Sequence, residues 1–269
     1  MDTLDPSDRR AAETALRWIR KPGADGQGGV LNLCYNAVDR HVIAGRSEEA
    51  ALEAGAPGGA GAATYAGLLE EMAALAGALR MLGAAPSVPV PVLMPAGRDQ
   101  VLALLACWRL GAVPHLLPAD LGAADVAAGI EAIAPPVLLA AGESAWREAL
   151  ETAAVEVGSV VVRQPGDASH HARLSEPRDL EWDFVVKAGR SDPAPCARVA
   201  AQEPAYAELD RSGGEPGELR WDVTATGPLA LAAAAYASEP ESSRQGSSAD
   251  RPALAVLAPM VAGRPLRLG

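Results

Sequence analysis

The run Ser212-Gly213-Gly214-Glu215-Pro216 holds the residue types and spacing that most invite chemistry. Glycines let backbone N–H groups converge on an anion, and a hydroxyl adds a donor, so such a run can open a loop that wraps a phosphate. The surrounding stretch, YAELDRSGGEPGELRWD (206–222), carries five acids and no lysine. An ordinary surface turn is therefore the competing reading. Other candidate groups are sparser. His115 has no nucleophile or orienting carboxylate at a recognisable spacing, which makes it a poor catalytic base. His170-His171 sits in a polar stretch with Asp167 and Glu176, without a recognisable metal-ligand pattern. Asp39-Arg40-His41 reads as a hydrogen-bonded helix end. Cys34, Cys107 and Cys196 are odd in number and widely spaced. Neither a disulfide framework nor a zinc motif can be built from that spacing, so they read as buried thiols in a reducing compartment, and no metal is expected.

Composition narrows the classes. The chain has 269 residues, 49% of them apolar, but aromatics are only 4% and alanine is abundant. A sizeable core is expected, gaining less per residue than one built of larger side chains. The net charge of −11 disfavours nucleic acid and anionic membranes as partners. Lys21 and Lys187 are the only lysines. The polar start MDTLDPSDRR lacks a leader pattern, and the apolar run around 101–118 is broken by Arg109, Pro114 and His115. A soluble cytoplasmic protein is the expectation.

The elements that must position these groups follow from periodicity. Residues 9–20 predict a short helix, and LNLCYNAVDRHV reads as helical. Thr64 is a candidate N-cap for a strongly amphipathic helix carrying Leu68, Met72, Leu75, Leu79 and Leu82, closed by Gly83. PVPVLM (89–94) predicts a buried strand whose prolines should hold it near an edge or interrupt its ladder. RDQVLALLACWRLG, residues 123–133 and SAWREALETAA predict helices; AVPHLL, PPVLLAA and SVVVR predict strands. Helix and strand alternate four times, the pattern of a mostly parallel sheet with helices on both faces. After 165 the alternation fails. Residues 229–237 could form a helix and 239–252 look disordered. The apolar tail LAVLAPMVAGRPLRL has no evident partner element. Three segments are thus expected: 1–58, a first α/β subdomain over 59–165, and an irregular third over 166–269.

LNLCYNAVDRHVIAGR (31–46) resembles the N-terminal signature of short-chain, AMP-forming acyl-CoA synthetases, the acetyl- and propionyl-CoA branch of the adenylate-forming superfamily. TYAGLLEEMAALAGALRMLG, VLALLACWRLGAV, DLEWDFVVKAGRSDPAPCARVAAQEPAY (179–206) and APMVAGRPLRL (258–268) are similar, in order, to further segments of that family. The resemblance implies an α/β fold like the N-terminal half of an adenylate-forming large domain, incomplete at the C-terminus. It also implies a reaction in which ATP and Mg²⁺ activate a carboxylate to an acyl-adenylate and coenzyme A then displaces AMP.

The family's ATP loop reads approximately YTSGTTGKPKG; here the aligned stretch is ELDRSGGEPGE. Gly214 and Pro216 match, Ser212 is what remains of the hydroxyl run, and Glu215 and Gly217 stand where lysines are usual. Glu208, Asp210, Glu215 and Glu218 would repel a triphosphate, each by about 4 kcal/mol at ~4 Å and an effective dielectric near 20, before screening. Arg211 could offset one of them. Ser212, Gly213, Gly214 and Pro216 are thus a remnant nucleotide-binding loop. Near the implied coenzyme A path, Pro118-Ala119-Asp120-Leu121 replaces Phe-Gly-Gly-Phe. The family's downstream motifs and its adenylation lysine have no counterpart in these residues, and neither Lys21 nor Lys187 lies in a matching context. The expectation is a non-catalytic remnant or interaction module, with no catalytic residue and no cofactor unless family function is retained. Its partner would be a second copy or an intact synthetase, met through an exposed apolar tail. Alternatives are the N-terminal component of a split acetyl- or propionyl-CoA ligase, or a small-molecule sensor.

Overall fold

The computed structural model describes residues 5–23, 28–54, 61–142, 145–152, 156–167, 171–210, 220–238 and 252–268. The stretch 239–251 and most of the glycine-rich joint at 55–62 therefore lie outside the described residues, as does His170. The chain divides into two compact units. One comprises Met1–Glu70, Cys196–Pro204 and Thr224–Gly269, and the other Glu71–Pro195 and Ala205–Val223.

The second unit is built on the sheet. Its strands are β4 (Pro89–Leu93), β5 (Val113–Leu117), β6 (Val137–Ala141), β7 (Ser159–Arg163), β8 (Asp179–Glu181), β10 (Pro204–Asp210) and β11 (Arg220–Ala225), in the order β11-β10-β5-β4-β6-β7-β8. From β10 through β8 the neighbours are parallel. Between them run α4 (Arg98–Leu110), α5 (Ala123–Glu131) and α6 (Trp146–Thr152). The chain steps from β4 to β5 on one side and from β5 to β6 on the other. Right-handed crossovers then place α4 and α5 on opposite faces. On the α5–α6 face, Leu117, Val126, Ile130, Leu138, Trp146 and Val160 form one core cluster.

β4 is a central strand rather than one near an edge, and its prolines interrupt its ladder, the other outcome expected of them. Val113 N donates to Val88 O (2.9 Å), so by alternation Val88, Val90 and Val92 turn their backbone groups to β5. Pro89 and Pro91 then face β6, where pairing is confined to Val92 and Leu93. Pro114 likewise faces β10, whose pairing starts at His115. The missing donors fall where the ladder is absent.

The sheet also continues past residue 165, where the alternation was expected to fail. β8 adds in parallel to β7, and α7 (Trp182–Gly189) follows it. Glu181 caps α7 by accepting from Phe184 N at 2.8 Å, and Trp182, Val185, Val186 and Gly189 form its buried stripe. A Cβ on Gly189 would lie 1.9 Å from Ala74 O, so only glycine lets α7 approach α3 (Tyr65–Met81) this closely. Thr64 caps α3 as expected, its Oγ1 accepting from Gly67 N at 3.2 Å, and Leu68, Met72, Leu75 and Leu79 are buried.

The first unit contains α1 (Pro6–Ala15), β1 (Val30–Leu31), a π-helical turn (Tyr35–Asp39), α2 (Arg40–Ile43), β2 (Ala50–Glu53), β3 (Ala63–Thr64), β9 (Val199–Ala200), α8 (Thr226–Ser238), α9 (Pro252–Val261) and β12 (Leu266–Arg267). The apolar tail is not exposed. Leu254, Val256, Leu257, Met260 and Val261 of α9 are buried, at about 1.5–3 kcal/mol for each large side chain. β12 pairs in parallel with β2 (Leu266↔Leu52). The surface expected to recruit a second copy or an intact synthetase is thus occupied by the chain itself. Among the described residues no helix is long and apolar enough to cross a membrane.

Candidate functional site

In an open parallel sheet a ligand cleft forms beyond the carboxyl ends of the strands, where the strand order reverses. Here that point lies at the end of β4, where α4 begins. Arg98 opens α4 and forks onto Glu71 through both terminal nitrogens. The next residue, Asp99, accepts from Arg163 Nε at 3.2 Å, and the same guanidinium donates to Asp183. The hydrogen bond to Glu71 raises the pKa of Arg98 further above its ordinary value. Both guanidiniums are held by carboxylates of this chain, so an incoming anion would have to displace them.

Past β5, Leu121 N donates to Pro118 O (3.2 Å) and Leu121 is buried. A compact turn thus stands where the family resemblance implies a glycine pair. His115 lies at the middle of β5 and is buried. Its Nδ1 bonds Val113 O at 3.0 Å, and its ring meets Trp221 edge-on at 4.7 Å between centroids. Burial lowers its pKa. This neutral imidazole is a packing group.

β10 and β11 flank the candidate loop. Ala207 pairs with His115 and Glu208 with Leu116, and Ala205, Tyr206, Ala207 and Leu209 are buried. Trp108 Nε1 anchors the strand by donating to Ala205 O at 2.8 Å. β10 is therefore an inner strand of the sheet, beside the edge strand β11. Ser212, Gly213, Gly214 and Pro216 lie outside the described residues, which end at Asp210 and resume at Arg220. On the strand that enters the loop, the Glu208 carboxylate accepts from Tyr206 OH at 2.9 Å. ATP would need cations and converging donors near this strand, where the described residues present the Glu208 carboxylate.

The 31–46 signature is a structural staple. Asn36 Oδ1 accepts from Arg17 N (2.7 Å), and its Nδ2 donates to Arg17 O (3.1 Å) and Asn32 O (3.0 Å). Arg40 ties the end of α1 to α9, donating to Ala15 O at 2.7 Å and to Val261 O. His41 Nε2 bonds Met260 O at 2.8 Å, and its Nδ1 faces Arg46 Nη1 at 3.2 Å. Arg46 also donates to Gly263 O and Glu49. The expected hydrogen-bonded role of Asp39-Arg40-His41 matches this arrangement.

Cys34 and Cys107 are buried, as expected, whereas Cys196 is part-exposed. Cys107 is buried in α4, and burial pushes its thiol up to about 12, so it carries no thiolate at neutral pH. Cys34 and Cys196, remote in sequence, come together with Asp39: one ligand atom from each lies within 4.8 Å of the others. No spacing rule could have found this, because β1–β9 pairing creates it. His171 is exposed, with Nε2 3.0 Å from Pro165 O.

Comparison with known proteins agrees with this fold. The model of the AMP-binding enzyme family matches residues 39–207. An acetyl-coenzyme A synthetase from Mycolicibacterium smegmatis is 34% identical over 209 residues, covering 73% of this chain and 21% of that protein. An uncharacterized protein from Pseudomonas aeruginosa is 34% identical over 230 residues, covering 80% of this chain and 34% of that protein. The crystal structure of a Brucella canis acyl-CoA synthetase superimposes with a TM-score of 0.74 at 17% identity, covering 99% of this chain and 46% of that one. The chain thus spans roughly a fifth to a third of the length of these curated relatives. With more than half of its residues matched by the family model, the chain belongs to the AMP-binding enzyme family, as a homologue of part of the acetyl-CoA synthetases.

Proposed function

We propose that these 269 residues form an acyl-CoA-synthetase-type unit that does not adenylate a carboxylate on its own and is a non-catalytic member of its family. The observation that carries this reading is the 208–218 stretch. In sequence it carries Glu208, Asp210, Glu215 and Glu218 where the chain resembles the family's ATP loop, and four negative charges there would oppose a triphosphate. Two features of the sheet's carboxyl edge support it. Arg98 and Arg163 are engaged by carboxylates. The Pro118–Leu121 turn replaces flexible glycines beside the path that coenzyme A would follow. The test is a coupled assay of the purified chain with ATP, Mg²⁺, CoA and acetate or propionate. The expected result is no acyl-CoA; turnover would refute the proposal.

A second reading has one observation in its favour. The Brucella canis acyl-CoA synthetase fold accommodates 99% of this chain while the chain covers 46% of that fold. On that reading the chain is the N-terminal component of a split acetyl- or propionyl-CoA ligase, with ATP and CoA held largely by a second polypeptide. Adding a polypeptide that carries the remaining segments of an acetyl-CoA synthetase would then restore turnover. Turnover from the mixture, but not from either part, selects this reading over the first.

A further inference from the structure

The thiol and carboxylate cluster in the first unit has no part in either reading. Cys34 precedes the π-helical turn and Asp39 ends it. In an α-helix, residues five apart lie about 140° apart around the axis. In a π-turn the i→i+5 hydrogen bond stacks them, and here Arg40 N donates to Tyr35 O in that register. The departure from α-geometry is thus what sets the Asp39 carboxylate over the Cys34 thiol, with Sγ 3.8 Å from Oδ2.

The third group arrives by a separate device. β1 and β9 pair antiparallel (Leu31↔Val199). Asn32, buried, donates from Nδ2 to Ala197 O at 3.0 Å and accepts on Oδ1 from Tyr35 N at 3.0 Å. One side chain therefore fixes both the start of the π-turn and the backbone beside Cys196. A tetrahedral zinc ion with bonds of ~2.3 Å to sulfur holds its ligand atoms about 3.8 Å apart. The Cys34–Asp39 edge already has that length, and the remaining edges are no longer than 4.8 Å, so small side-chain rotations close the set. Cys34 is fully buried while Asp39 and Cys196 are part-exposed, which leaves a path for an ion to enter.

We propose that Cys34, Asp39 and Cys196 form a binding site for a zinc-class divalent cation, with a water molecule as fourth ligand. Two sulfurs and one carboxylate select soft or borderline metals over Mg²⁺ and Ca²⁺. Binding replaces the Cys34 S–H···Asp39 contact by metal bonds, and the thiol protons pass to solvent. Its consequence is structural: the ion would clamp the segment around Cys196 to the signature turn.

The test is a Co²⁺ titration of the full, reduced chain, followed by thiolate-to-metal charge-transfer absorption. Zn²⁺ displacement and proton release are read in the same samples. The expected result is one ion per chain, displaced by Zn²⁺, with protons released. Cys196→Ser and Cys34→Ser should each abolish the absorption. Asp39→Asn should weaken Zn²⁺ binding by about tenfold or more, at least the cost of losing an outer-shell partner. Cys107→Ala should bind normally. Because Cys34 is buried and its variant could misfold, circular dichroism accompanies every variant, and the part-exposed Cys196 and Asp39 keep the test decisive. Absence of charge-transfer absorption in the reduced wild-type chain, or absorption that survives in folded Cys196→Ser, would overturn the proposal.

Discussion

Acidification should weaken this protein through His41. The ring is 6% exposed, its Nε2–H donates to Met260 O, and its Nδ1 accepts from Arg46. A proton on Nδ1 would set donor against donor. Burial first, and then the Arg40 charge, lower its pKa from 6.5 to about 4, although the Met260 carbonyl and Glu49 favour the proton. The folded value lies below the unfolded one, so the unfolded chain takes up the proton first as pH falls. The stabilisation is therefore complete above the unfolded value of 6.5 and is lost as pH falls towards about 4. At about 1.4 kcal/mol per pH unit of displacement the full loss is about 3 kcal/mol, of which about 2 kcal/mol is gone by about pH 5. The assay is urea unfolding of wild type and His41→Gln across this range, since glutamine can donate to Met260 O and accept from Arg46 without titrating. The variant should lack about 2 kcal/mol of the wild-type pH dependence. NMR should place the His41 titration near the lower value. A His41 that titrates near 6.5, or two superimposable stability–pH curves, would refute the reasoning.

Two substitutions test the packing. Gly189→Ala, which in an exposed helix would add helix propensity, should here cost about 1–3 kcal/mol or more, because its Cβ would fall 1.9 Å from Ala74 O; a neutral or stabilising result in urea melts would contradict the α3–α7 contact. Asn32→Ala should cost about 1–2 kcal/mol, because it strips partners from the half-buried Ala197 O and Tyr35 N; a loss under about 0.5 kcal/mol would show that the side chain does not pin the turn.

The sheet was legible in the sequence where helix and strand alternate, and the capping of α3 by Thr64 was legible from a hydroxyl before an apolar stripe. The central place of β4 was not. Proline content argues for an edge or an interrupted ladder, and only the pairing register shows which, with the missing donors falling where no ladder forms. α7 could have been read from Glu181 and the spacing of Trp182, Val185, Val186 and Gly189, but the neighbouring prolines and acids obscured it. The burial of α9 and β12 depends on α8 and β2, distant elements that no local pattern links to the tail. For the candidate site, the family resemblance implied an ATP loop at 208–218 with acids in place of lysines, and 211–219 lie outside the described residues. The meeting of Cys34, Asp39 and Cys196 needed a π-turn and a long-range strand pair, neither of which has a sequence signal.

On the proposed function, the 208–218 stretch does not hold a triphosphate. Isothermal titration of the purified chain with ATP and Mg²⁺ tests it most directly. No saturable heat is expected with millimolar nucleotide. Saturable one-to-one binding, diminished when Ser212 and Gly214 are replaced, would contradict it.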